Sequence, residues 1–141
     1  MMVPRKAELH QLALTVLARP QGETQGADAF AATATRAYAD LVQVSAPLIG
    51  HVGVAALTGR ALHLARREHP ILRRNSEPAD AERAFDHLSA SLQGQDPAAA
   101  TDAAAAVFAT FFGLLINFIG EPLTTGLLRK AWPDAVNNSN K

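Results

Sequence analysis

The chain has 141 residues, 48% of them hydrophobic and 18% charged, with zero formal net charge and no cysteine. That composition excludes a disordered chain, a disulfide scaffold, a thiolate nucleophile and a cysteine-type zinc site. Balanced charge argues against wholesale nucleic-acid binding, and the length fits one domain that buries its own core.

Alanine is abundant while β-branched residues are sparse, so helix is favoured over sheet. The first twenty residues are interrupted by Glu8, His10 and Gln11. They therefore lack the unbroken apolar run of a signal peptide. Leu9, Leu12, Val16 and Leu17 predict a first helix over about 4–18, ended by Arg19-Pro20. A polar loop follows. Asp28 then opens a second helix to about 45, with Phe30, Ala34, Ala37, Tyr38, Leu41 and Val42 as its stripe.

Ser45-Ala-Pro47 predicts a stop and a fresh start, with a third helix running to about His69. Ala81, Ala84, Phe85, Leu88 and Leu92 predict a fourth helix over about 78–93. Asp96-Pro97 supplies a cap and a first helical position for a fifth, which Trp132-Pro133 must end. Pro122 beside Gly120 predicts a kink or break near 118–122. No repeat of fixed period stands out. The expected fold is all-α, a four- to five-helix bundle with a long, kinked C-terminal helix, in a single domain over 1–133 with a flexible tail at 134–141.

The stretch 103–120 carries no formal charge over eighteen residues. A helix apolar all round is buried in protein or in a membrane. Ala103, Ala106, Thr110, Gly113, Asn117, Gly120 and Thr124 share a sector of about 100°. Phe108, Phe112, Leu115, Ile119 and Leu123 lie opposite, with Val107, Phe111, Leu114 and Phe118 on the flank between. Small residues let another helix approach closely, and a paired Asn can set register across a two-fold axis. Ala106, Thr110, Gly113, Asn117 and Gly120 are therefore the candidate self-association face of a homodimer.

The membrane alternative is a transmembrane helix at 103–120. Nine strongly apolar residues favour insertion by on the order of 3–5 kcal/mol, which Thr110, Asn117 and two glycines largely offset. The length is at the lower limit for a span.

Residues 60–74 hold Arg60, Arg66, Arg67, Arg73 and Arg74 against Glu68, whereas residues 77–102 are strongly acidic. Arg60, His63, Arg66 and Arg67 fall opposite the apolar side formed by Val54, Leu57, Ala61, Leu62, Leu64 and Ala65. They form a candidate docking face for an anionic partner, such as an acidic or phosphorylated protein. No aromatic residues interleave with the arginines, which disfavours single-stranded nucleic acid.

His51 projects onto the apolar side and reads as a hydrogen-bonded core histidine, with an axial haem ligand as the alternative. No His-Glu-x-x-His motif and no histidine pair at i, i+4 suggests a metal, and no cofactor is implied. His63-Leu-Ala-Arg66-Arg67 resembles the motif of histidine phosphotransfer domains, which are also small helical bundles with an exposed histidine. Arg66 meets their basic position, but Arg67 stands where a small residue belongs.

The stretch from Phe111 to Pro133 resembles the C-terminus of small uncharacterised bacterial proteins that share a Gly-Glu-x-Leu-Thr core and a closing Ala-Trp-Pro. It covers about a sixth of the chain. The resemblance implies a shared structural task for Glu121, Thr124 and Trp132, and no activity. Together these features lead to an expectation of a cytoplasmic, non-enzymatic regulatory or adaptor-like interaction module. A membrane-associated protein, at an inner membrane, and a small-molecule or haem-binding sensor bundle are the alternatives.

Overall fold

A computed structural model describes residues 6–17, 27–73, 88 and 96–133. Among the described residues the chain is all-α, with no strand. Its elements are α1 (Lys6–Leu17), α2 (Ala27–Arg66), a 3-10 turn (Pro70–Arg73), α3 (Pro97–Ile119) and α4 (Glu121–Ala131). The expected helix at 78–93 and the tail at 134–141 lie outside them, except Leu88, which is buried in the core.

α3 begins as its sequence dictates. The Ala99 N–H donates to Asp96 Oδ2 at 3.2 Å, and Pro97 occupies a first-turn position where its missing N–H costs nothing. From Ala103 to Ala109 every residue is buried. α3 is therefore the central helix, packed chiefly against α1 and α2.

α2 corrects the expected stop at Ser45-Ala-Pro47. Helix continues through Pro47 and leaves helical geometry only at Gly50, at φ 81° and ψ 158°. Proline removes the donor to the Gln43 carbonyl, but Gln43 and Pro47 both line an open groove that water reaches. Gly50 adopts a backbone region that only glycine occupies readily, so the reversal is placed there.

Gly120 repeats this device at φ 92° and ψ 158°. It separates α3 from α4, and Pro122 falls in the first turn of the new helix. Twenty-three helical residues precede each glycine, 27–49 and Pro97–Ile119, and an Ile-Gly pair closes both runs.

Both glycines reverse the chain. Tyr38 and Thr58 lie on opposite sides of Gly50, and a straight helix would hold residues twenty apart at about 30 Å. Their hydroxyls instead meet at 2.9 Å. Phe112 and Trp132 straddle Gly120 at the same separation in sequence, with ring centroids 5.6 Å apart. The molecule thus contains two helical hairpins of like design, which sequence inspection did not find because few side chains recur between them.

The two elbows share one end of the molecule. Asp102 precedes Gly120 by eighteen residues and His69 follows Gly50 by nineteen, which puts each about 27 Å down its limb. Asp102 Oδ2 lies 3.8 Å from His69 Nδ1. Elbows at opposite ends would hold that pair on the order of 20 Å apart.

Candidate functional site

Large apolar side chains are exposed at the elbow end. Leu48 is 49% exposed and Val52 77%, each two residues from Gly50. Phe118 is 66% exposed and Leu123 55%, two and three residues from Gly120. These four are the exposed large hydrophobics among the described residues. Phe118 and Leu123 therefore depart from the flank and core positions that helical periodicity assigned them. Helix α3 ends at Ile119, and around this reversal Phe118 and Leu123 face outward while Ile116 and Thr124 stay buried.

Both backbone groups of Gly120 are satisfied internally. The Gly120 N–H donates to the Ile116 carbonyl at 2.8 Å. The Gly120 carbonyl accepts from the Thr124 N–H at 3.1 Å and from Thr124 Oγ1 at 2.8 Å. Thr124 is buried to make this bond, and Trp132, 1% exposed, closes the same hairpin against Phe112.

The stripe of small residues on α3 is divided. Ala106 is buried, and the half-buried Thr110 donates to the Ala106 carbonyl at 2.7 Å. Helix α1 lies over Gly113, where an added Cβ would meet Leu9 Cδ1 at 3.6 Å, an ordinary contact. A glycine is thus not needed there for close approach, and the chain's own α1 holds the position. Asn117 is exposed beside the elbow, and Gly120 is half-buried.

Arg60, His63 and Arg67 are exposed, while Val54, Ala61, Leu62 and Ala65 on the other side of the limb are buried. Arg66 differs from its neighbours in being half-buried. His51 is exposed, not a core histidine, because the turn at Gly50 swings it outward.

The opposite end gathers a histidine–carboxylate cluster that no local spacing announces. His10 Nε2 lies 3.0 Å from Asp102 Oδ1, and His69 Nδ1 approaches the other carboxylate oxygen. These residues come from α1, the turn after α2 and the start of α3, so long-range packing alone assembles them. Asp102 is 57% exposed, so each contact is worth less than about 1 kcal/mol. No group of three His, Cys, Asp or Glu among the described residues is arranged to hold a metal ion.

A groove of about 380 Å³ runs between α2 and the end of α4, lined by Asp40, Gln43, Val44, Pro47, Lys130 and Ala131. It is open and polar, unlike the enclosed apolar pocket that a haem or drug-sized ligand requires. Thr33–Arg66 and Ala98–Ile119 are both apolar and long enough to cross a membrane by composition, and the most apolar stretch of the second is 61% buried in protein. Comparisons with protein-family models, curated proteins and solved structures find no match for this chain.

Proposed function

We propose that this chain is a non-enzymatic helical interaction module that docks through its elbow end. One observation carries the reading: Leu48, Val52, Phe118 and Leu123 stand exposed around two glycine turns at the same end of the molecule. Scattered surface leucines need no explanation, but a concentration of large apolar side chains marks a contact surface.

Self-association, as a regulatory or adaptor-like homodimer, is one form of this docking. Leu9 already covers Gly113, so a second copy reaches Asn117 and Gly120 but not the whole stripe of Ala106, Thr110, Gly113, Asn117 and Gly120 unless α1 moves.

The test is a chain with Leu48, Val52, Phe118 and Leu123 all changed to Ser. Circular dichroism should stay unchanged, because these side chains lie outside the core. Retention on a phenyl resin should fall sharply. Equal retention of the variant and the parent would remove the elbow end as the apolar contact surface.

A further inference from the structure

We infer that the elbow end docks on the elbow end of a second copy of this chain, with the Gly50 turn of each copy lying on the Gly120 turn of the other. This rests on reading the elbow end as the docking surface and adds what covers it.

The two turns complement each other. The Gly50 turn presents Leu48 and Val52, with the exposed His51 directly after the glycine. The Gly120 turn presents Phe118 and Leu123, with the half-buried Glu121 in the matching position. Among the described residues, neither His51 nor Glu121 has a hydrogen-bond or ion-pair partner within its own chain. A histidine N–H donates to a carboxylate whether or not the ring carries its second proton. One turn therefore offers a donor between aliphatic side chains, and the other offers an acceptor beside a ring.

Two-fold symmetry turns this into an interface. An axis lying in the end face, between the elbows, sets the first elbow of each copy against the second elbow of the other. His51 then meets Glu121 of the second copy, and the same pair forms again across the axis. Leu48 and Val52 pack on Phe118 and Leu123 of the second copy in the same doubled way.

Charge favours this occupant. Around the end, the acids Glu8, Asp40 and Glu121 offset the cations Arg60, Arg129 and Lys130, so no net field draws a partner of one sign. A balanced face with one donor and one acceptor suits itself. Area agrees. The four apolar side chains expose no more than roughly 500 Å², taking about 200 Å² for a whole large side chain. Two copies would thus cover about 1,000 Å² of apolar surface, the lower end of the range for a specific contact. The exposed Asn117 and Pro122 add a rim. A contact of this size is reversible, so the dimer should dissociate on dilution.

Light scattering on the full chain over a dilution series tests this. The parent should show a monomer–dimer equilibrium, and Val52→Ser with Phe118→Ser should leave a monomer with unchanged circular dichroism. His51→Glu should weaken the dimer by about tenfold, because it sets two like-charged pairs face to face. Glu121→Lys should weaken it as well. An equal mixture of these two single variants should recover the dimer, since each copy then offers the charge that the other needs. Recovery on mixing is not expected of side chains that only support their own turn.

A chain that stays monomeric throughout would overturn the inference, whether its end then takes up phosphatidylcholine vesicles or nothing. A dimer that survives the Val52 and Phe118 changes would overturn it too, since another face would be responsible. So would a mixture no more dimeric than its two components, because the elbows would then not be crossed. Elbow docking itself is judged apart, on the phenyl resin: it stands if the four serine changes lower retention, and falls if they do not.

Discussion

The two hairpins use one backbone device in two environments. Each follows twenty-three helical residues and turns at a glycine with ψ near 158°. The first is closed by the Tyr38 and Thr58 hydroxyls, and Thr58 Oγ1 donates to the Val54 carbonyl. The second is closed by Trp132 against Phe112, which in turn meets Phe108 edge-on at 6.4 Å. In α2 only 22% of the most apolar stretch is buried, against 61% in α3. The closing chemistry follows that difference. A hydroxyl pair tolerates nearby water, whereas the central hairpin is held by ring area. That area is large enough to offset the cost of leaving Trp132 Nε1 buried without a partner.

The sharpest way to break this comparison is Trp132→Ala, which should cost about 3–5 kcal/mol in urea unfolding followed by circular dichroism. A loss no larger than that of the hydroxyl pair would mean that the second hairpin is not held by its rings. Trp132→Phe should cost much less, because the donor removed has no partner.

Next come the turns. Gly50→Ala and Gly120→Ala should each cost about 1–3 kcal/mol. Nothing lies within 4 Å of an added Cβ at Gly50, so any loss there is backbone strain and not a clash. A neutral Gly50→Ala would show that the first turn relaxes where the second cannot.

Tyr38→Phe should lower stability by only about 1 kcal/mol, since Thr58 keeps its carbonyl acceptor. The smallest effect has the opposite sign. Gly126 is exposed on α4 with open space around it, so Gly126→Ala should raise stability by about 0.5–1 kcal/mol.

The caps were legible because they are local. Asp96-Pro97 opens α3 and Trp132 closes α4, as residue type and order imply. The lower part of the apolar helix was legible too. Its uncharged run is buried in protein from Ala103 to Ala109, one of the two ways in which a helix apolar all round leaves water. The position of the break in α2 was not. Pro47 is the stronger helix breaker by propensity, yet a proline whose freed carbonyl faces water is tolerated, and the reversal needs the positive φ of Gly50. The elbow end escaped the reading for a related reason. Periodicity assigned Phe118 and Leu123 to a continuous helix, and where the helix folds back these two side chains face solvent.

The sequence by itself determined what depends on neighbours within a turn or two: helical class, caps, the central apolar run and the basic limb of Arg60, His63 and Arg67. Only the tertiary structure decided which side chains meet across a reversal. Tyr38 with Thr58, Phe112 with Trp132 and the His10, Asp102 and His69 cluster all join residues at least twenty positions apart. Those meetings depend on the direction in which two glycines turn the chain. A glycine permits many directions, and packing against α3 selects one.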